Sequence, residues 1–349
     1  MSGVKRLAIV ITVALVGLAC GGGGTSGGNA GGPSCSKTFK VGLVTDVGKL
    51  SDKSFNANSW QGVQDAQNDK SLCVKGSYIE SNQPTDYQKN IETFVTQGYD
   101  MVVTVGFLLG DDTLAEAKKN PSTKFAIVDF AYTTPQPNLT GLIFKEDQAG
   151  FMIGALAGLM TKSNTVGQVV GLKLPPVQRY AEGYIAGVKY TNPNAKVLTV
   201  YQGPGDGAPF NNPDWGKARA IDEINQGADI VFGGGGNTGN GALLGALSKN
   251  VPCIGVDVDQ FVSYPDVDSC LMTSAEKKLS LAVKTVITDA VKNQWPSSGI
   301  LTFEAKNGGV GISSYHNFDS KIPANVKAKI DDIKKKLADG TLQTGVNIS

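Results

Sequence analysis

The sequence predicts an α/β protein made of two doubly wound parallel-sheet units. Three observations carry that expectation. Short apolar runs alternate with segments of helical period, which argues parallel strands covered on both faces. The alternation occurs twice, and the roughly 310 residues after position 37 suffice for two domains. A polar segment, 44–56, leaves the first apolar run and enters a helical one, where ligand sites of such folds lie.

The elements follow in order. After a Gly/Ser/Asn/Pro-rich stretch ending near Ser34, residues 40–45, 74–79, 101–105 and 125–129 read as strands. Helices are predicted between them at 59–68, 87–97 and 112–119. The second set has strands at 166–171, 197–201, 229–232 and 253–257, and helices near 179–190, 213–226 and 241–249. Tyr180, Tyr184, Ile185 and Val188 form one apolar stripe at helical period. A strand at 271–273 should lead into a helix with Ser274 as N-cap and Leu279, Ala282, Val283, Val286 and Ile287 on its buried side. Strands near 300–304 and 309–313 come next. The last helix carries Val326, Ile330, Ile333 and Leu337 and stops at Gly340 in the C′ role.

The N-terminus has the composition of an export signal. Lys5 and Arg6 precede an apolar run, 7–19, that spans ~20 Å as a helix, short of the ~30 Å hydrocarbon core. Ala19-Cys20 followed by a Gly/Ser tether resembles a bacterial lipobox whose cysteine is lipidated; the alternative is an ordinary signal peptide cut near Ala19. The other cysteines, Cys35, Cys73, Cys253 and Cys270, are even in number, which suits disulfides in an oxidising compartment. Of three connectivities, pairing by neighbourhood (Cys35 with Cys73, Cys253 with Cys270) is preferred. With His316 as the one histidine and no CxxC, no metal site is expected. Without Lys5 and Arg6 the 32 basic residues fall to 30 against 31 acidic ones, so charge gives no reason to expect a nucleic acid.

Candidate binding residues sit at strand ends. Phe55 lies in a polar run; it could pack against the first helix as a staple or face a ligand. Phe210, in the polar loop 203–214 of the second unit, is read as occupying an equivalent place. Asp46, Asp129 and Asp257 each end a strand, where an Asp could cap a helix, form a turn or accept hydrogen bonds from a ligand. Gly234-Gly235-Gly236-Asn237-Thr238-Gly239 fits G-x-G-x-x-G, but nicotinamide cofactors are scarce outside the cell and no acid/base pair accompanies it, so no cofactor is expected. The same glycines let backbone approach a sugar. No catalytic constellation emerges, and the chain is not expected to be an enzyme. An exported nucleoside-cleaving enzyme and a receptor for a sugar or signalling molecule are the alternatives.

Val44-Thr45-Asp46 and Asp52-Lys53-Ser54-Phe55-Asn56 resemble the opening signature of the basic membrane protein family, purine-nucleoside-receptor lipoproteins serving ABC transporters. Further matches are Gly154-Ala155-Leu156-Ala157-Gly158, Pro175-Pro176-Val177, Ala186-Gly187-Val188-Lys189, Gly255-Val256-Asp257-Val258-Asp259-Gln260, Thr273-Ser274 and Gly309-Val310-Gly311. They run colinearly from about residue 40 to 315. The resemblance implies a type I periplasmic-binding-protein fold, its two lobes joined by crossover strands. Its expected divisions are a signal peptide at 1–19, lipidated Cys20 and tether at 20–36, a first lobe of 37–146 plus 274–320, a second of 147–273, and an unassigned C-terminal helix and tail at 321–349. It also implies that Phe55 and Phe210 sandwich a purine, that Asp46 and Asp129 face the base with Asn56 in the same set, and that Asp257 faces the sugar, assisted by Lys277 and the Gly236 backbone. Lys277 is expected in the first turn of its helix. The loop 203–209 is longer than the family's there. The implied partners are a purine nucleoside, a lipid anchor and a membrane permease, with the monomeric receptor on the extracytoplasmic face of the cell membrane.

Overall fold

Two six-stranded sheets organise the described residues, which are Cys35, 37–296 and 298–348 of a computed structural model. The expected signal segment, Cys20 and the tether lie outside them. In the first unit β1 (Phe39–Val44), β2 (Val74–Ile79), β3 (Met101–Val105), β4 (Lys124–Val128) and β5 (Leu139–Phe144) alternate with α1 (Phe55–Asn68), α2 (Tyr87–Thr96) and α3 (Gly110–Lys119). The second unit runs α4 (Glu146–Met160), β6 (Thr165–Leu172), α5 (Pro175–Thr191), β7 (Lys196–Gln202), α6 (Pro213–Asn225), β8 (Val231–Gly233), α7 (Gly236–Ser248), β9 (Cys253–Asp257), α8 (Gln260–Ser263) and β10 (Leu271–Lys277). The chain ends with α9 (Leu279–Val291), β11 (Ile300–Phe303), β12 (Val310–Ile312) and α10 (Ala324–Asp339).

The strand orders are β2-β1-β3-β4-β5-β11 and β7-β6-β8-β9-β10-β12. One unit therefore repeats the other. All neighbours are parallel except β10 and β12. Central strands such as β3 are buried at every residue, because helices cover both faces of a parallel sheet. In each unit the order reverses between the first strand and the third, and the loops at this switch point open the crevice where open α/β sheets take ligands.

Four expectations need correction. Ser274 is not an N-cap and Lys277 is not in a helix: β10 continues to Lys277, paired with β9 on one side and β12 on the other. Ser274 instead accepts a hydrogen bond from the Gln260 N–H at 3.1 Å, and the helix begins at Leu279. The division at 274 and the assignment of 309–313 to the first lobe also fail, since β10 and β12 lie in the second sheet and only β11 joins the first. α9 packs on α1, whereas α10 packs on α4, which itself lies against β10 and β12.

The chain thus passes between the sheets three times, after β5, after β10 and between β11 and β12. The passages are bonded to one another: the Lys145 N–H donates to Phe303 O and the Lys278 N–H to Gly309 O, both at 2.9 Å. β5 and α4 have no counterpart among the expected elements. α4 is buried around most of its circumference, so it shows no amphipathic period. Its glycines bring α5 to backbone contact; a β-carbon on Gly154 would stand 2.1 Å from Tyr184 O. Disulfides tie Cys35 to Cys73 and Cys253 to Cys270, with Cα separations of 5.7 and 5.2 Å.

Candidate functional site

Between the carboxyl ends of the two sheets lies a partly open cavity. Asp46, Phe55, Asn56, Asp129, Phe210, Gly236, Asp257 and Lys277 all line it. The two phenylalanines do not come from equivalent loops. Phe55 opens α1 after the first strand of its unit, while Phe210 follows β7, the second strand of the other.

The first lobe presents polar groups. Asp46, just beyond β1, accepts hydrogen bonds through Oδ1 from the Gly48 N–H and Asn56 Nδ2, each at 2.8 Å. Burial outweighs these bonds and pushes its carboxyl up to about 6. Asp52, fully buried, accepts from the Ser54, Asn56 and Ala57 N–H groups and so holds the start of α1, which presents Phe55. Its carboxyl is likewise raised by burial to about 6. Asn56 donates to both carboxylates, which leaves its buried Oδ1 as an acceptor with no partner. Gly106 follows β3 with φ 113°, and a β-carbon there would stand 3.2 Å from Asp46 Oδ2 and 3.5 Å from the Phe55 ring. Phe107 then lines the cavity as a third phenylalanine.

The second lobe presents mostly apolar surface: Val170, Leu174, Val177, Phe232 and Val256, with Phe210 above them. Gly235 follows β8 with φ 102°, the counterpart of Gly106 in the repeated topology. Its motif does not form an open phosphate cradle. The Thr238 N–H at the start of α7 donates to the Phe210 carbonyl at 3.3 Å, and a β-carbon on Gly236 would meet that oxygen at 2.9 Å. The loop bearing Phe210 occupies the place a pyrophosphate would need.

The lobes meet at Lys277, the last residue of β10 and 2% exposed. Its Nζ donates to both oxygens of Asp129, at 2.9 and 2.7 Å, and to Glu146 at 3.4 Å. It also stands 4.9 Å from the centre of the Phe55 ring. Burial opposes the lysine's charge, but Asp129, Glu146 and Asp257 prevail and raise its affinity for the proton. Arg179 pairs with the far side of Glu146 at 2.7 Å. Asp129 and Asp257 end the fourth strands of their units with matching left-handed backbones, φ 70° and 65°. Asp257 accepts a hydrogen bond from the Tyr180 hydroxyl at 3.4 Å, and burial lifts its carboxyl to about 7.

The cleft is closed at its rim. Asn240 Nδ2 in α7 donates to the Asp52 carbonyl at 2.8 Å, and Ser263 Oγ donates to the Lys53 carbonyl at 2.8 Å. Sequence reasoning did not single out Asp52, Phe107 or Tyr180 as site residues. Asp52 carried a signal, a carboxylate four residues ahead of Asn56 at a helix entry. Tyr180 reads as part of a core stripe and is 6% exposed, yet it lines the cavity and its hydroxyl meets Asp257. Among the described residues no cluster of three or more His, Cys, Asp or Glu has metal-holding geometry, and no helix is long and apolar enough to cross a membrane.

Such a cleft between two like lobes defines a fold class, the two-lobed periplasmic-binding-protein-like fold. A solute-binding protein of an ABC transporter system from Aeropyrum pernix has this fold, with a TM-score of 0.77 at 24% identity over 87% of this chain and 92% of its own. The particular family follows from the sequence match: residues 39–343 fit the family described as ABC transporter substrate-binding protein PnrA-like, and the chain belongs to it. The "ABC transporter nucleoside-binding protein BmpA" of Lactococcus lactis is 32% identical over 352 residues, covering 95% of this chain and 98% of that one. An uncharacterised lipoprotein of Pyrococcus furiosus is 30% identical over 294 residues, 80% of this chain and 70% of its own.

Proposed function

We propose that this protein binds a purine nucleoside between its lobes and delivers it to a membrane permease. The observation that carries the reading is that Phe55 and Phe210 line one cavity from opposite lobes, together with Asp46, Asp129 and Asp257. Each ring stacked on a base contributes ~0.5–1.5 kcal/mol beyond its burial. Asp46, Asp129 and Asp257 accept hydrogen bonds from base N–H groups and the ribose diol, worth ~1.5–3 kcal/mol for a charged acceptor. Asn56 Oδ1 supplies a further acceptor, Lys277 holds Asp129 in place, and the Gly236 backbone admits the sugar. Because neither lobe completes the site alone, ligand favours the closed form. The relatives named nucleoside-binding protein and lipoprotein support the ligand and the anchor. Cys20 is the lipidation site, and the monomeric receptor is tethered on the extracytoplasmic face.

Isothermal calorimetry with guanosine, inosine, adenosine, the free bases and ribose tests this. One-to-one binding of at least one purine nucleoside, with the nucleoside recovered intact, is expected. Heat with sugars alone would move the protein to another solute class, and release of free base would make it an enzyme.

A further inference from the structure

Phe210 has a left-handed backbone, φ 57°, which a phenylalanine keeps only where its surroundings hold it. The holding group is Gln202, the last residue of β7 and 1% exposed. Its Oε1 accepts from the Phe210 N–H and from Thr238 Oγ1, each at 3.0 Å. Its Nε2 donates to Ala208 O at 3.0 Å and to Asp206 O at 3.4 Å. Thr238 completes the clamp: its N–H donates to the Phe210 carbonyl, and its Oγ1 accepts from the Asn212 N–H at 3.1 Å. The buried Gln202 amide gathers the long loop 203–212 and the Phe210 N–H, and Thr238 holds the Phe210 carbonyl.

The ring has its own bed. A β-carbon on Gly171 would stand 2.3 Å from the ring's Cε1, and one on Gly235 would stand 3.4 Å from Cδ1. The bare backbone at the end of β6 lets the Cδ1–Cε1 edge of the ring come this close. Neither Gln202 nor Gly171 lines the cavity.

We propose that Gln202 is the positioning residue for Phe210, with Gly171 as the seat of its ring, and that the pair sets the grip of the second lobe on a ring-shaped ligand. The choice of a nucleoside as probe rests on the function proposed above. The loop 203–209 is therefore folded back onto Gln202, not left free over the cleft.

The test is calorimetric titration of the full chain, in detergent, with the tightest-binding purine nucleoside. Wild type is compared with Gln202→Met, Gly171→Ala, Phe210→Ala and the Gln202→Met/Phe210→Ala double variant. Gln202→Met and Gly171→Ala should each weaken binding by about tenfold or more, a shift of ~1.4 kcal/mol or above. The double variant should bind no more weakly than Phe210→Ala, because Gln202 acts through that ring. Gln202→Met binding within about twofold of wild type, or losses that multiply in the double variant, would overturn the proposal. Gly171→Ala keeps every Gln202 hydrogen bond and decides the matter if Gln202→Met does not fold; wild-type affinity there overturns it. Hydrogen exchange of the empty proteins needs no ligand: 203–212 should exchange faster in Gln202→Met and the rest of the sheet should not. If wild type binds no nucleoside, the functional reading fails alone, and unchanged exchange in 203–212 would sink the positioning role separately.

Discussion

The two lobes share a topology and divide the chemistry. At matching strand ends they use the same backbone devices, Gly106 and Gly235 after the third strand, Asp129 and Asp257 at the fourth. At the first strand they part. β1 leads into Asp46, Asp52 and Asn56, while β6 leads into Leu174, Pro176 and Val177. The first lobe supplies Asp46, Asp129 and Asn56 as acceptors; the second supplies Asp257 and an apolar wall that any flat ring would find favourable. Selectivity for the base on this account belongs to the first lobe and grip to the second.

The largest expected effect is at the junction between them. Lys277→Met would leave Asp129, Glu146 and Asp257 without their shared cation, and breaking a buried pair costs ~3–5 kcal/mol. Urea unfolding of the empty protein measures it; a loss under about 1 kcal/mol would show that the hub is dispensable.

Within the cleft the comparison becomes a ranking. Asp46→Asn should weaken nucleoside binding by about tenfold to a hundredfold, the worth of a charge-assisted hydrogen bond. Phe210→Ala should cost about tenfold, with melting of the empty protein little changed. Asp46→Asn should also alter the order of preference among guanosine, inosine and adenosine, whereas Phe210→Ala should weaken all alike. A reversed pattern would move selectivity to the second lobe.

The pH dependence sharpens the same contrast. With the Asp46 carboxyl near 6 and that of Asp257 near 7, both acceptor forms are lost as pH falls through those values, so affinity should drop by at least about tenfold between pH 7.5 and 5. Calorimetry at those two pH values checks this, and flat affinity would remove both from the contact set. Stability moves the other way. Groups raised from 3.8 to about 6 or 7, as Asp46, Asp52 and Asp257 are, contribute stability that is full below 3.8 and is lost as pH rises through their folded values. The empty cleft should therefore be sturdier in mild acid than at neutrality.

The smallest effect lies outside the cleft. In the first lobe, buried Glu116 is satisfied by Lys119 at 2.8 Å and Asn120 at 3.1 Å. In the second, neither carboxyl oxygen of buried Glu223 has a well-formed hydrogen bond, and burial, only partly offset by the nearby Gln168 backbone N–H, raises its carboxyl from 4.5 to about 8. Its contribution is complete below 4.5 and disappears as pH rises through 8, so Glu223→Gln should gain on wild type as pH rises. Melting scans should show that gain growing by about 2–4 °C between pH 5 and 9. A constant difference would mean that Glu223 finds a partner in solution.

Much of this was legible in the sequence. The sequence pattern located eleven of the twelve strands among the described residues, nine of them to within one residue at each end, because the central strands of a covered parallel sheet are unbroken apolar runs. α4 escaped because a helix buried nearly all round has no period to detect. Ser274 misled because Ser is a common cap, and only pairing with β9 and β12 shows that the strand continues through it. Asp46, Phe55, Asp129 and Asp257 were visible as polar or aromatic residues at strand ends. Their complement, the apolar wall at Val170 and Phe232, looks like any core in a linear string.

The central claim is that one ligand engages both lobes at once. Hydrogen exchange of the full chain, with and without a saturating purine nucleoside, tests it most directly. Protection should rise together in 46–57 of the first lobe and 205–212 of the second. Protection confined to one lobe, or absent from both while the ligand is bound, would contradict it.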